Sequence, residues 1–224
     1  DCWYDSGAMP FAQFGYPHHD AGEFARSYPA NFIAEAIDQT RGWFYTLMAV
    51  GTLVHDQSAY RDVLCLGHLV DEQGRKMSKH LGNVIEPIPL MNEHGADAVR
   101  WFMLASGSPW QARRVGHATI AEAVRKVLLT YWNTVAFHVL YANAAGFDQT
   151  KPVRQPAQRP ALDRWLLAQT ARVAREVDAA LEDYDTQTAG RLLAELLDDT
   201  SNWYVRRSRR RFWDGEPEAF ATLH

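Results

Sequence analysis

The sequence has few cysteines, no long apolar run and no strong excess of charge of either sign. Its 224 residues include two cysteines, 23 basic and 27 acidic side chains, and the formal net charge is −4. Cys2 and Cys65 are far apart and form no CxxC pair, which predicts two reduced core thiols, with a disulfide as the alternative, and no metal site. The longest uncharged apolar stretch, residues 42–54, is too short to span a bilayer.

The sequence also lacks an initiator methionine and an N-terminal signal segment. It opens with Asp1-Cys2-Trp3-Tyr4, and this start indicates that the sequence is a piece of a longer protein. The composition, 47% hydrophobic and 22% charged, is that of a globular protein and excludes a disordered or collagen-like chain. Because reduced thiols are typical of the cytoplasm, we expect a cytoplasmic protein.

The first part of the sequence alternates short apolar runs with helical patterns. Residues 31–37 predict a buried strand, residues 40–54 a helix and residues 62–70 a second strand. A strand, a helix and a strand with short connections predict the parallel sheet of an α/β fold. Ligands of such sheets bind beyond the carboxyl ends of the strands, and the segments 35–39 and 74–82 are both expected to lie at such ends.

The character of the sequence changes near residue 108, after a further predicted helix over residues 90–105. Apolar residues then recur every three or four positions in three helical stripes, with a proline-rich loop at residues 151–160. The sequence therefore predicts an α/β domain over residues 1–108 and a helical bundle over residues 109–224. The first stripe comprises Ile120, Val124, Val127, Leu128, Tyr131, Val135 and Val139.

A short basic loop carries the most specific pattern in the sequence. It reads Lys76-Met77-Ser78-Lys79, with glycines on either side. The compact ammonium group of lysine on its long, mobile stem suits contact with a polyphosphate. Two lysines at this spacing are usually part of a solvated surface loop. The complete string after a predicted strand, however, resembles the KMSKS signature of the class I aminoacyl-tRNA synthetases.

Three further segments resemble the isoleucyl branch of that family. Residues 1–7 (DCWYDSG) are similar to a segment of the isoleucyl, valyl and leucyl enzymes. Residues 35–44 (EAIDQTRGWF) and residues 202–213 (NWYVRRSRRRFW) are similar to the isoleucyl form. Because the resemblance spans nearly the whole chain, the sequence is identified as an internal fragment of a member of the isoleucyl-tRNA synthetases.

The resemblance implies a fold and an activity. The implied fold is α/β, the C-terminal half of a Rossmann catalytic domain, followed by an incomplete all-α helical-bundle anticodon-binding domain. The implied activity is that of an isoleucine–tRNA ligase, which activates isoleucine with ATP to isoleucyl-adenylate and transfers it to tRNA(Ile). The implied cofactors are ATP and Mg²⁺, and the implied partners are isoleucine and tRNA(Ile). The resemblance also implies that the full-length enzyme is a monomer and does not bind membranes.

The family's His-Ile-Gly-His signature, editing insertion and C-terminal zinc module do not occur in these 224 residues. The resemblance therefore implies zinc only in that further module. It also implies that this chain, by itself, does not form the adenylate.

The resemblance assigns roles to several side chains. Lys76 and Lys79 are the implied catalytic residues and bind ATP together with Met77 and Ser78, with Lys79 nearest the phosphates. The implied binding residues for the aminoacyl-adenylate are Glu35, Asp38 and Gln39, and the implied walls of the amino-acid pocket are Trp3 and Trp43.

A run of arginines has two interpretations. These side chains either contact the tRNA backbone or pair with acidic residues such as Asp198 and Asp199. The run consists of Arg206, Arg207, Arg209, Arg210 and Arg211.

The sequence departs from the family pattern at three positions. Ala36 stands where the family usually has glycine, Leu66 where many members have histidine, and His80 where the signature ends in serine. The effect of these departures stays open. Three histidines without a matched functional partner are interpreted as structural or solvated: His18, His19 and His68.

Two other functions stay open at this point. One is a valyl-type synthetase, which an amino-acid activation assay would distinguish. The other is a non-catalytic tRNA- or RNA-binding paralogue, against which the intact lysines and acidic residues argue.

Overall fold

A computed structural model describes residues 1–224, and the chain divides into two units. Unit 1 comprises residues 1–69 and 110–113, and unit 2 comprises residues 70–109 and 114–224. Unit 1 is mixed α/β and unit 2 is mainly helical. The predicted order of an α/β part followed by a helical part is therefore confirmed, whereas the domain boundary at residue 108 stays a prediction.

Unit 1 contains a two-stranded parallel sheet and three helices. Strands β1 and β2 pair in parallel, with Glu35 opposite Cys65, and helix α3 connects them. The predicted strand–helix–strand unit is thus present. In chain order the elements are α1 (Cys2–Ala12), α2 (Ala21–Ser27), β1 (Ala30–Ala36), a 3-10 turn (Ile37–Arg41), α3 (Trp43–His55) and β2 (Tyr60–Leu66).

The core of unit 1 lies between α2, β1 and the inner face of α3. Leu47 of α3 is completely buried, and aromatic rings dominate the space around it. Phe24 and Tyr28 pack with ring centroids 4.8 Å apart, and His55 at the end of α3 lies 5.2 Å from the ring of Phe24. Burial of these large apolar side chains holds the helices to the sheet.

The prediction of a buried first strand is wrong for most of its residues. Only Ile33 of β1 is buried, and Phe32 is 49% exposed. Four of the seven side chains of β1 are exposed, on both faces of the strand, so the strand is covered only around Ile33.

The prediction of one strand over residues 62–70 is also wrong, because the strand is interrupted. β2 ends at Leu66, and a short strand β3 (Leu69–Val70) follows. Between them the backbone of Gly67 packs so closely against that of Gln111 that a Cβ atom would lie 2.3 Å from its carbonyl. β3 pairs instead with β4 (Arg113–Arg114).

Unit 2 consists of helices in two hydrophobic clusters. One cluster centres on Ile120, which is completely buried, and the other on Tyr204, Phe212 and Phe220. The helices are α4 (Pro87–His94), α5 (Ala96–Ala105), α6 (His117–Ala123), α7 (Leu129–Ala145), α8 (Ala161–Glu182), α9 (Thr186–Asp198), α10 (Arg206–Trp213) and α11 (Pro217–Leu223), with π-helical turns at Val124–Leu128 and Asp199–Val205 and a 3-10 turn at Pro156–Gln158.

The predicted helix over residues 90–105 is two helices. Gly95 ends α4 with φ +91°, a conformation that other residues rarely adopt, and α5 begins at the next residue. The break leaves His94 as the last residue of α4.

The predicted apolar stripe of residues 120–139 is only partly buried. Ile120 and Val127 are in the core, but Val135 and Val139 are 41% and 49% exposed. The buried face continues through Thr134 instead, whose hydroxyl donates to the Thr130 carbonyl at 2.8 Å. A hydrogen bond within the helix makes burial of this polar side chain tolerable, and the hydrophobic pattern alone could not indicate it.

Both cysteines are free thiols, as predicted, but the prediction that both are core residues is wrong. Cys2 is exposed in the first turn of α1, and Cys65 is half-buried in β2.

None of the helices combines the length and the apolarity that a membrane span requires.

Candidate functional site

Three of the residues predicted from the sequence come together where α1, the 3-10 turn and α3 of unit 1 meet. The Gln39 side chain accepts a hydrogen bond from the Trp43 amide at 2.9 Å, so that its carbonyl oxygen caps the start of α3. Trp3 approaches the same point from the first turn of α1. We call the residues Trp3, Glu35, Asp38, Gln39 and Trp43 the strand-end cluster.

Gly42 allows this close approach. A Cβ atom at this position would lie 2.6 Å from the Gln39 side-chain oxygen and 3.7 Å from the Trp3 ring. The first distance is shorter than a van der Waals contact, so a larger residue would displace the Gln39 amide. The glycine therefore positions Gln39 and brings its side chain close to Trp3.

The Trp43 ring is held by α1. Its indole N–H donates to the Ser6 carbonyl at 3.1 Å, and the ring is half-buried. Trp3 is 56% exposed. The held indole of Trp43 and the exposed indole of Trp3 both offer flat apolar surface that a ligand could contact.

The two acidic residues of the cluster are placed by the end of β1. Glu35 is the penultimate residue of the strand, and Asp38 lies in the 3-10 turn that follows directly. Both are exposed. Carboxylates at this position can accept hydrogen bonds from an ammonium group or from ribose hydroxyls.

The loop over residues 71–83 in unit 2, here called the signature loop, is organised around Asp71. The Asp71 side chain is 6% exposed and accepts from the Gln73 and Arg75 amides at 3.1 and 2.7 Å. Its second oxygen accepts from the Arg75 guanidinium and the Asn83 amide, both at 2.9 Å. These hydrogen bonds, that from Asn83 first, lower the pKa of the Asp71 carboxyl to about 2.

Asn83 closes the loop from its other end. Its side-chain oxygen accepts from the Ser78 amide at 2.9 Å, and its amide group donates to the Lys76 carbonyl at 3.2 Å as well as to Asp71. Asp71 and Asn83 were not among the predicted site residues. An Asp and an Asn at the two ends of a glycine-containing loop are the signal that could have indicated them.

The two lysines of the loop extend outward, whereas Met77 turns inward. Lys76 and Lys79 are exposed. Met77 is half-buried against the cluster around Ile120. The loop is therefore anchored by one apolar side chain and by the hydrogen bonds of Asp71 and Asn83, and it presents two ammonium groups to solvent.

One arginine of the predicted run is bound to acidic side chains within unit 2, and the others are exposed to solvent. Arg211 binds Asp163 with two hydrogen bonds of 2.5 and 2.8 Å and Glu216 with a third of 2.7 Å. Asp163 is completely buried and also accepts from the Tyr204 hydroxyl at 3.0 Å. Hydrogen bonding to Asp163 raises the pKa of Arg211, and burial raises that of Tyr204.

This geometry corrects the prediction for Arg211, whose guanidinium is occupied within unit 2 and is not presented as a tRNA contact. Its partner is Asp163, not Asp198 or Asp199; Asp198 accepts from Asn202 instead. The sequence signal for the pair was a lone acidic residue inside an apolar helical stripe.

The other arginines of the run are exposed. Arg210 is 92% exposed and lies 3.5 Å from Asp214, and Arg207 stacks 3.8 Å above the ring of Trp203. Arg206 and Arg209 line a groove of about 310 Å³ together with Asn133, Phe137 and Asn202. Exposed guanidinium groups beside aromatic rings are typical of nucleic-acid contact surfaces.

Comparison with known sequences identifies the family. The sequence model described as tRNA synthetases class I (I, L, M and V) matches residues 1–115. The chain belongs to this family of class I tRNA synthetases. A second model, described as the anticodon-binding domain of tRNA ligase, matches residues 163–224. The resemblance to class I synthetases is thus confirmed.

Several class I relatives match the whole chain. An isoleucine–tRNA ligase of Streptomyces avermitilis is 66% identical over 224 residues, one of Cutibacterium acnes 56% over 254 residues, and one of Deinococcus radiodurans 51% over 237 residues. The alignments cover 100% of this chain but 21%, 23% and 22% of those proteins. The chain therefore spans about a fifth of the length of the curated relatives.

Solved class I structures share the fold. The methionyl-tRNA synthetase of Mycobacterium tuberculosis in complex with methionyl-adenylate superposes with a TM-score of 0.82 at 20% identity, over 99% of this chain and 44% of that one. A LeuRS–tRNA–LeuAMS ternary complex from Agrobacterium radiobacter gives 0.77 at 18% identity, over 100% and 28%.

Proposed function

We propose that this chain supplies part of the active site and of the tRNA-binding surface of an isoleucine–tRNA ligase. The observation that carries the proposal is the pair of exposed lysines, Lys76 and Lys79, on a loop whose backbone is fixed by Asp71 and Asn83. The identity of 66% over 224 residues to a segment of an isoleucine–tRNA ligase supports isoleucine as the amino acid. It favours this function over a valyl-type enzyme or a non-catalytic paralogue.

The proposed first step needs no nucleophile from the protein. A carboxylate oxygen of isoleucine attacks the α-phosphorus of ATP, the bond to pyrophosphate breaks, and isoleucyl-adenylate forms. Negative charge grows on the phosphate oxygens during this step. Lys76 and Lys79 would lower its barrier by placing positive charge there in advance, and Met77 and Ser78 would hold the loop against ATP.

The strand-end cluster is the proposed adenylate and amino-acid site. Glu35 and Asp38 would accept hydrogen bonds from the ammonium group or from ribose hydroxyls. Gln39 can both donate and accept, but its oxygen already caps α3, which leaves its NH₂ group for the ligand. Trp3 and Trp43 would wall the pocket for the aliphatic side chain of isoleucine.

Mg²⁺ would accompany ATP and is not assigned to side chains of this chain. Mg²⁺ requires oxygen ligands. Of the two carboxylates of the signature loop, Asp71 already accepts four hydrogen bonds from the loop itself, and Glu72 accepts one from the Ala118 amide. Bound to ATP, the ion would neutralise part of the phosphate charge.

The proposed tRNA contact is the exposed part of the arginine run. Arg206, Arg207, Arg209 and Arg210 would bind phosphates of tRNA(Ile), which is consistent with the match of residues 163–224 to an anticodon-binding family. The proposed catalytic domain is residues 1–108 and the proposed anticodon-binding domain residues 109–224. We expect the complete enzyme to be a cytoplasmic monomer.

The experiment uses a chimera in which this chain replaces the aligned segment of the Streptomyces avermitilis enzyme. The unmodified chimera should catalyse isoleucine-dependent ATP–pyrophosphate exchange and should not respond comparably to valine. Lys79→Ala should lower the exchange rate on the order of 100-fold or more, as expected when a preorganised charge is removed. The KM for isoleucine should stay nearly unchanged.

Lys126→Ala is the matched control, because Lys126 is an exposed lysine paired with Glu122 on the surface of unit 2. Its exchange rate should equal that of the unmodified chimera. A wild-type rate in Lys79→Ala would remove Lys79 from the active site and contradict the proposed role of the loop. A preference for valine would exclude isoleucine as the substrate.

A further inference from the structure

A second cluster of polar side chains lies in unit 2 outside the signature loop and the arginine run. Glu93 and His94 end α4, and His117 begins α6. The His94 Nε2 and His117 Nδ1 atoms are 3.0 Å apart. The Glu93 Oε2 atom lies 3.1 Å from His117 Nδ1, and the Glu93 Oε1 atom lies 3.5 Å from His94 Nε2. Two imidazole nitrogens and one carboxylate, carried by two helices, thus lie close together, with one ligand atom of each residue within 4.8 Å of the others.

These separations match the edges of a metal coordination shell. Zn²⁺ binds nitrogen and oxygen ligands at about 2.0–2.2 Å, so two ligands of a tetrahedral ion lie about 3.3–3.5 Å apart. The separation of the two imidazole nitrogens is 3.0 Å, and each imidazole nitrogen lies 3.1 or 3.5 Å from one of the two Glu93 oxygens, values at or slightly below that range. A proton between two of these atoms satisfies one contact, whereas one divalent cation can take a lone pair from each of the three side chains.

The backbone around the cluster is fixed before any ion binds. Gly95, with φ +91°, ends α4 directly after His94, whose side chain is 13% exposed. The start of α6 is held by Glu72, whose side-chain oxygen accepts from the Ala118 amide at 3.3 Å. A site whose ligands stand on two fixed helix ends loses little freedom when it binds an ion.

We propose that Glu93, His94 and His117 form a binding site for Zn²⁺ or a similar transition-metal ion, with water as a further ligand. The donor set of two imidazoles and one carboxylate suits Zn²⁺ and disfavours Mg²⁺ and Ca²⁺, which prefer oxygen ligands alone. A bound ion joins the end of α4 to the start of α6. The site is independent of the proposed ligase reaction.

The test measures Zn²⁺ binding to the untagged 224-residue chain by isothermal titration calorimetry at pH 7.5. One ion should bind per chain, and His117→Ala should weaken its binding by at least about 100-fold, because even changes outside the ligand shell cost about 10–100-fold in affinity. Glu93→Gln, which keeps both imidazoles, should weaken it less. Co²⁺ should give the visible absorption of a four-coordinate site in the unmodified chain and lose it in His117→Ala.

His18→Ala is the control, because His18 and His19 are exposed neighbours that could bind the ion nonspecifically. It should bind Zn²⁺ as the unmodified chain does. Thermal unfolding gives a second measurement, in which Zn²⁺ should raise the Tm of the unmodified chain and of His18→Ala but not that of His117→Ala. Absence of saturable binding, or equal binding by His117→Ala, would overturn the proposal.

Discussion

The signature loop and helix α10 both concentrate positive charge, but a buried carboxylate is used differently in each. In the loop, Asp71 binds backbone amides and the one cation next to it, Arg75, which leaves Lys76 and Lys79 exposed. The carboxylate there shapes the backbone, and the charges needed for phosphate stay available.

In α10 the buried carboxylate selects one cation from a run of five. Asp163 holds Arg211 on the inner face of the helix, while Arg206, Arg209 and Arg210 remain exposed. The comparison shows that a basic run is not one functional unit. The carboxylates packed beneath it decide which cations are structural and which can meet a ligand.

The largest expected effect comes from breaking the Asp163–Arg211 pair. Asp163→Ala leaves the Arg211 charge half-buried without its main partner, so the free energy of unfolding should fall by about 3–5 kcal/mol. Urea denaturation of the 224-residue chain, followed by circular dichroism, measures it. Asp214→Ala removes the exposed partner of Arg210 on the same helix and should cost about 0–1 kcal/mol. Equal losses in the two variants would contradict the distinction between buried and exposed pairs.

A smaller effect is expected from loosening the signature loop without removing its charges. Asn83→Ala deletes hydrogen bonds to the Ser78 amide, the Lys76 carbonyl and Asp71. Because misplacement of a catalytic group by about 1 Å can cost about 100-fold, partial loosening should lower ATP–pyrophosphate exchange of the chimera by about 10-fold. Gln73→Ala, which removes only a 3.4 Å contact to Arg75, should leave the rate unchanged. An unaffected Asn83→Ala chimera would show that the lysines need no such support.

Each exposed arginine of α10 should increase the affinity for tRNA by a few-fold. Arg209→Ala should weaken binding of tRNA(Ile) to the chimera by a few-fold and reduce the slope of log K against log salt by about 1, as expected for one lost phosphate contact. Filter binding over a salt series measures both quantities. Arg172→Ala, an exposed arginine paired with Glu176 on α8, is the control and should change neither. An unchanged slope in Arg209→Ala would exclude this side chain from the tRNA contact.

The smallest expected effect is a loss of stability of the signature loop, which occurs only at low pH. The native pKa of Asp71 is about 2, below its ordinary value of 3.8, so ionised Asp71 stabilises the loop above about pH 4. That stabilisation should be lost as the pH falls from about 4 towards 2, when the carboxylate gains a proton. The ¹³C shift of the Asp71 carboxyl carbon measures the titration, and Asn83→Ala should raise its midpoint. A midpoint near 3.8 in the unmodified chain would contradict the hydrogen-bond network.

Much of the strand-end cluster and of the loop could be predicted because the information is local. The string Lys76 to Lys79 and the segment 35–44 carry their residues within a few positions of each other, and a strand–helix–strand pattern fixes where such segments lie in an α/β fold. The family followed from these strings alone.

Other features depended on residues that are distant in the sequence. The interruption of the second strand at Gly67 results from the backbone of Gln111, and the buried face of α7 passes through Thr134 because a hydrogen bond satisfies its hydroxyl. Neither contact leaves a periodic signal, since periodicity reports only which side chains are apolar.

The sequence by itself determined the family, the order of an α/β part and a helical part, and the lysines of the signature loop, because each is written in contiguous residues. Only the tertiary structure decided which arginine of α10 is neutralised and that Glu93, His94 and His117 converge. Asp163 lies 48 residues from Arg211, and His94 lies 23 residues from His117. Short-range interactions shape a segment, but long-range packing determines which charges and lone pairs of that segment remain free.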